Sequence, residues 1–553
     1  MKKIFQILGL VSCMVFVGCE NYLTNVPQDT LTADNYYTSE RAIEQNCYSL
    51  YAAKTWSNFQ MSFMWMAGDE LAGDMFYTYD QEGQFYYASF GSNNAYLTQG
   101  WKGLYRVISF ANNIINDMPA AARANDLSEA AIEQGVAQAR CVRAIAYYFL
   151  TEYWGAVTIV EDNLSLMSTP LYRHTQDDVY RFIVEDLLYA ERILPAQQSV
   201  KGMATKWTAK GMLAKVYLTM ASHLDNPNSA TYFAQAKAYA KDVIENSGLQ
   251  LYPDYSTLFD IEANNCDESL FAIQNMVAGY AYGNSRNAHW SRDTRISDVA
   301  WGQGKGPTIS LQESYTPDDQ RRQWVYMTLG DYYPNLNKAE GGYTYQYVYR
   351  DPVTHNKLET SNEMLANLKK YVIGKSADTN GGVGDQQDAA NNTYLLRLAD
   401  VYMVYVEACI GAGDRTDDAL ALQVFNRVHH DRAGLPEKTT PITYDELIKE
   451  RRCEFALEGI NFFDIKRMFY RNENLAIRYL NRMERHRAYY DNGSTETNEN
   501  VSPFVDEANS PYELNPSYEP ILISKDQMYL PVPGSEITSS PTLAEDPVKY
   551  YQD

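Results

Sequence analysis

The stretch Glu450-Arg-Arg-Cys-Glu-Phe-Ala-Leu-Glu-Gly-Ile-Asn-Phe-Phe-Asp464 holds the densest charge in the chain. Glu450, Glu454 and Glu458 recur every four residues, which on a helix sets them along one face. Acid–base cleavage of a glycosidic bond needs two carboxylates on opposite sides of that bond, and three in a row along one face flank nothing. The pattern therefore reads as ion pairing with arginines such as Arg397 and Arg427 on packed helices. His429 and His430 are adjacent, about 100° apart around a helix, so they do not readily chelate one ion. Walker, GxGxxG, GxSxG and HExxH spacings are absent, which leaves nucleotide, hydrolase and metalloprotease chemistry without a signature. There is no CxxC pair, and the scattered aspartates match no EF-hand loop. No cofactor is expected, and a structural Ca²⁺ has no readable motif.

Two aromatic stretches offer binding chemistry instead. Asp74-Met-Phe-Tyr-Thr-Tyr79 supplies Asp74, Phe76, Tyr77 and Tyr79; the stretch 280–301 supplies Tyr282, Asn284, Arg286, Trp290, Arg292 and Trp301. A sugar ring has apolar C–H faces and a polar rim, so it is held by flat aromatic platforms with amide, carboxylate or guanidinium groups beside them. The 46 tyrosines against 19 phenylalanines point the same way, because tyrosine tolerates a wet surface. Arg286, Arg292 and Arg295 would make this part of the chain locally basic.

Around these stretches, composition narrows the class. The formal charge of −23 repels phosphate backbones, so no nucleic-acid partner is expected. Residues 1–18 carry Lys2 and Lys3, then an apolar run, then Gly18 before Cys19, the layout of a secretory signal whose removal leaves Cys19 first. Cys19 is the expected lipid attachment site, and no second long apolar run follows it. Cys141, Cys409 and Cys453 fall in helical patterns, where a free cysteine serves as a small buried residue.

The elements that must position the aromatic stretches are mostly helical. Three-and-four spacing predicts helices over 39–54, 59–71, 97–118, 128–154, 176–193, 203–222 and 231–246, in antiparallel pairs of tetratricopeptide type. Ala204, Ala209, Gly211 and Ala214 would let a neighbouring helix come close. A strand is expected over 270–273, and another over 342–350 with Tyr343, Tyr345, Tyr347 and Tyr349 on one face. The polar, Gly-rich 376–392 reads as a mobile loop. Helices return over 394–410, 416–430 and 443–470, the last opened by a Thr443/Glu446 capping box.

Several stretches, in order, resemble the SusD/RagB family of Bacteroidetes surface lipoproteins. They are Cys19-Glu-Asn-Tyr-Leu23, Arg140-Cys-Val-Arg to Tyr153-Trp-Gly155, the segment 204–217, Arg397-Leu-Ala-Asp-Val-Tyr402, Asn426-Arg427 with Arg432-Ala-Gly434, and 450–464. The resemblance implies a mainly α fold: a tetratricopeptide-like helical-hairpin scaffold with a large loop-rich insertion carrying short strands. It divides the chain into a signal peptide (1–18), a lipidated tether (19–37), scaffold (38–254), a ligand-binding insertion (255–392) and C-terminal scaffold helices with an extended tail (393–553). It further implies a non-catalytic protein at the outer-membrane surface that binds a glycan and delivers it to a SusC-like, TonB-dependent barrel. Peptide binding and, from a different class, glycoside hydrolysis remain the alternatives.

Overall fold

The long helices start where a side chain can accept from the first turn. Ser39, Asn94, Ser128, Thr175 and Thr205 cap Glu40–Tyr48, Ala95–Asn116, Glu129–Trp154, Gln176–Ile193 and Lys206–Ser222 in this way, each contact contributing about 0.5–2 kcal/mol. Gly155 stops Glu129–Trp154 with a φ of +72°, and a Cβ there would meet the Tyr529 ring at 3.0 Å. The computed structural model describes residues 36–164, 170–492 and 499–552. The signal segment and Cys19 lie outside the described residues, as does the tether up to residue 35.

Successive helices pack on one another in chain order from Ala95–Asn116 to Ser229–Asn246, and the last of these packs on Leu398–Ile410. The helical layer therefore continues across the segment 247–397 as though that segment were absent. Most of the interior is one continuous apolar cluster, with a small separate one of Ile373, Val383 and Ala389. Lys206–Ser222 is buried on nearly every side rather than along one stripe, as befits the middle of a layer. Gly211 explains how: a Cβ there would meet Leu270, Leu396 and Val401 at 2.9, 3.0 and 3.3 Å.

Expectations failed where tertiary partners override local pattern. The run 394–397 is strand, not helix: Thr393–Arg397 pairs antiparallel with Ser269–Ile273 before Leu398–Ile410 begins, and both strands are buried. A short apolar run has no periodicity that separates these states. This pairing closes the base of the inserted segment. The expected helix over 443–470 breaks into Tyr444–Phe455 and Asn461–Arg471, where Leu457 and Gly459 take positive φ and Gly459 lies against Gly68. The Thr443/Glu446 capping box is present. Tyr343–Thr344 pairs with Tyr332–Tyr333, and Val348–Arg350 with Lys357–Thr360, so 342–350 is two short strands. Residues 376–392 are tied down: Asp378 accepts from the N–H groups of Asn337, Lys338 and Lys375, and Asp388 from those of Ala278, Gly279 and Gln386.

The charged stretch welds these parts together. Arg397 Nη1 contacts Glu268 and Glu454 at 2.5 and 3.1 Å while Nη2 contacts Glu458 at 2.6 Å. Arg432 joins Glu268 and Glu454, Arg321 joins Glu450 and Glu454, and Lys370 joins Glu458. Arg397 thus pairs as expected, but Arg427 does not; it meets Asp431 on its own exposed turn. His429 binds Glu450, and among the described residues no cluster could hold a metal. Cys141 and Cys453 are buried, Cys409 only partly.

Burial drives the Glu454 carboxyl up, but Arg432, Arg397 and Arg321 outweigh it and hold it at about 2, below its ordinary 4.5. Its stabilisation is complete above pH 4.5 and is lost as pH falls through about 2. Glu454→Gln takes a shared carboxylate from three buried arginines, so we expect a loss of about 3–5 kcal/mol at pH 7, with a shallower decline in acid than wild type. Urea midpoints of both proteins between pH 7 and 2 check this; equal midpoints at neutral pH would refute the role given to Glu454.

Candidate functional site

Asp74 anchors the first aromatic stretch from inside. Its carboxylate accepts from Arg452 Nε and Asn461 Nδ2, both at 2.7 Å, and its carbonyl accepts from the Thr308 N–H at 2.8 Å. Met75–Phe76 then pairs with Gly306–Pro307, and Phe76 packs edge-on against Tyr86 in the core. Beyond Phe76 the chain reaches the surface. Tyr77 is half-buried and Tyr79 is 71% exposed, with ring centroids 6.4 Å apart and planes tilted by 42°.

The strand pairing that positions Tyr77 also sets Lys305 against it. Lys305 Nζ lies 4.0 Å from the Tyr77 ring centroid and 5.6 Å from that of Trp65, with Glu82 at 3.7 Å. The buried ammonium attracts the ring's negative face and holds the ring in place. Burial lowers the Lys305 pKa, opposed by Glu82 and Glu70. Glu70, sealed beneath with neither oxygen hydrogen-bonded, is raised well above the carboxylate range by burial and by Glu82. Burial, then Glu82, pushes the Tyr77 hydroxyl up to about 12, so it stays neutral.

Trp301 reaches the same layer from the other side. Its N–H donates to the Ala288 carbonyl at 2.8 Å, and Gly302 follows where a Cβ would strike the Trp290 carbonyl at 2.3 Å. The ring is 50% exposed and sits edge-on to His289 at 5.2 Å. Burial and then Lys305 depress His289 to about 3, so it is neutral, and its Nε2 meets Gln387 Oε1 at 3.1 Å. Trp65, 6.1 Å from His289, completes a bridge of Lys305, Trp65 and His289 with the half-buried Tyr77 at one end and the exposed Trp301 at the other. Tyr282 is 39% exposed with Lys54 Nζ 5.0 Å from its ring, in a turn closed by the Met276 N–H to the Tyr282 carbonyl. Tyr280 and Met276, more exposed still, stand in the same turn; no pattern singled them out, because a turn has no periodicity to mark its outward residues.

Six of the ten expected contact residues have enclosed side chains and serve the scaffold. Asp74 and Phe76 are accounted for above. Asn284 donates to the Asn391 carbonyl, and Arg286 lies under Tyr371, 4.9 Å from its ring, with Nη1 on Thr393. Trp290 is fully buried between Trp65 and Tyr371. Arg292 is spent on Glu359 and the carbonyls of Gln346 and Tyr347. Arg295, paired with Asp293 and Glu359, adds no free charge either. Many of the tyrosines are likewise interior; Tyr147, Tyr345 and Tyr394 are examples whose hydroxyls are hydrogen-bonded. What remains outside is Tyr77, Tyr79, Tyr282 and Trp301.

The exposed rings stand on loops beside the helical-hairpin layer, Tyr77 and Tyr79 after the strand Met75–Phe76 and Tyr282 and Trp301 in the segment 280–301. Among known families, the model described as the SusD family matches residues 233–550, and one described as "Starch-binding associating with outer membrane" matches 21–218. The chain belongs to the SusD family. A SusD-like protein of Bacteroides ovatus is 32% identical over 98% of this chain and 97% of its own. A crystal structure with a xylogluco-oligosaccharide is 31% identical, with a TM-score of 0.80 over 93% of this chain and all of that one. Surface glycan-binding protein A from Bacteroides fluxus shares the fold at 18% identity and a TM-score of 0.65, over 90% and 96% of the two chains.

The division between buried and exposed rings has a measurable consequence. Trp290→Ala opens the interior and is expected to lower stability by about 3–5 kcal/mol, whereas Trp301→Ala is expected to stay within about 0.5 kcal/mol of wild type. Denaturant titration distinguishes them; equal losses would show that Trp301 is a scaffold residue too.

Proposed function

We propose that the protein is a non-catalytic cell-surface receptor for an oligosaccharide, which stacks its rings on Tyr77, Tyr79, Tyr282 and Trp301. The observation that carries this reading is the mounting of Tyr77 and Trp301 at the two ends of the Lys305–Trp65–His289 bridge. Exposed rings held by an interior cost little entropy to immobilise on binding, and they offer flat faces to sugar C–H groups. The 31% identical structure with a xylogluco-oligosaccharide supports a related neutral plant glucan as ligand. Glu82 is engaged by Tyr96 and Lys305, and Glu70 is enclosed. That arrangement supports binding without hydrolysis, which needs two carboxylates flanking an open bond. Acyl chains on Cys19 would hold the protein at the outer membrane, and no helix among the described residues is long and apolar enough to cross a membrane. Family membership supports a SusC-like, TonB-dependent barrel as the partner that receives the glycan.

Calorimetry of the chain beginning after Cys19, titrated with xylogluco-oligosaccharides and with peptides of similar length, tests the reading. Binding of the glycan is expected without release of shorter saccharides, and Tyr77→Ala and Trp301→Ala should each weaken it at least tenfold, about 1.4 kcal/mol. Undiminished binding in both variants, cleavage of the glycan, or a preference for peptides would falsify it.

A further inference from the structure

We propose a second binding site, for an acidic saccharide, in the groove between helices Tyr444–Phe455 and Glu473–Arg482. The groove has a volume of about 490 Å³, within the usual range of about 300–1,000 Å³ for small-molecule sites. None of the four exposed rings lines it, so it is independent of the aromatic surface.

Its charge runs against that of the chain. On a protein of formal charge −23 the groove gathers Lys449, Arg452, Arg478 and Arg482. Arg452, in the floor, is neutralised by Asp74, and Glu313 on the rim by a two-pronged contact with Arg487. Lys449, Arg478 and Arg482 are exposed and form no ion pair among the described residues; Asp445 is the remaining carboxylate in the lining. Arg478 and Arg482, four apart, share one helical face, and like charges at that spacing destabilise a helix unless an anion lies between them. Guanidinium groups take carboxylate or sulfate oxygens two at a time.

The walls say what kind of anion. Ile448, Met468, Leu475 and the Tyr479 ring make an apolar side to the groove, and the Ser310 and Ser314 hydroxyls line its floor beside Arg452. A bare inorganic anion would leave that apolar side wet. A hexuronic acid or sulfated sugar covers it with C–H groups while its oxyanion meets the arginines.

Calorimetric titration of the full chain with trigalacturonate, with inorganic phosphate and with a neutral xylogluco-oligosaccharide tests the site. Trigalacturonate is expected to bind, to weaken as salt rises from 50 to 200 mM, which shortens the reach of exposed charges, and to bind at least tenfold more weakly to the Arg478→Gln/Arg482→Gln variant. Tyr479→Ala keeps the charges and should weaken trigalacturonate more than phosphate. The proposal is overturned if the double variant binds trigalacturonate as wild type does, if wild type does not bind it, or if phosphate binds as tightly. Binding of the neutral oligosaccharide reads the aromatic surface separately and is expected to be unchanged in the double variant.

Discussion

One constraint organises this molecule: the charges taken out of water where its parts meet must be paired. Helix Tyr444–Phe455 carries Glu450, Arg451, Arg452 and Glu454 in its interior-facing turns, and all four are buried. A lone ion there would be prohibitive, and even a paired one needs its remaining oxygens or N–H groups satisfied. The structure meets this by sending each charge to a different part of the fold. Glu450 and Glu454 reach Arg321 in the inserted segment; Glu454 also reaches Arg397 at its closing strand and Arg432 beyond it. Arg451 reaches Asp400 and Asp464 on two scaffold helices, and Asp400 passes on to Lys215. Arg452 reaches Asp74, at the root of the first aromatic loop. The helix, which also buries Tyr444, Leu447, Ile448 and Phe455, thereby becomes the joint of the helical layer, the segment 247–397 and the first aromatic loop.

The insertion owes its order to the same logic at smaller scale. It has few long elements, and its strands are two to five residues long. Short polar side chains supply the partners that regular structure would have supplied. Asn287 accepts from the Ile373 and Gly374 N–H groups and donates to the Gly374 carbonyl; Asn367 donates to the carbonyls of Gly302 and Lys305. Buried backbone groups need such partners, and each one found removes a freedom from the loop. Trp301 and Lys305 are fixed by this framework, so the exposed rings are preorganised although they stand on irregular chain.

The proposed glycan surface and the proposed cationic site would divide the labour of recognition in chemically opposite ways. Stacking on Tyr77, Tyr79 and Trp301 would depend on apolar area and be insensitive to salt. Binding in the groove beside Arg478 and Arg482 would depend on charge and weaken as salt screens it. Arg452 stands between the two, with Asp74 on one side and the groove floor on the other.

Several features were legible without a structure because they are local. Helix boundaries at Ser128, Thr175 and Thr443 follow from capping residues that act within four positions, and the small residues around Gly211 announced a close approach, which strand residues Leu270 and Leu396 fill together with Val401. The family motifs, spread in order along the chain, identified the fold for the same reason: they are the residues of the scaffold's own joints. What the sequence could not decide was partnership at long range. Thr393–Arg397 is strand because Ser269–Ile273 lies beside it, and Arg427 is exposed while Arg432 is buried because of where the turn after Asn426 points them. The aromatic stretches show the difference most clearly. Their residue types suit sugar binding, yet Trp290 and Trp301 are chemically alike, and only the tertiary fold turns one into the core and the other into water. Composition determines what a side chain is able to do; burial, which depends on residues hundreds of positions away, determines whether it meets a ligand.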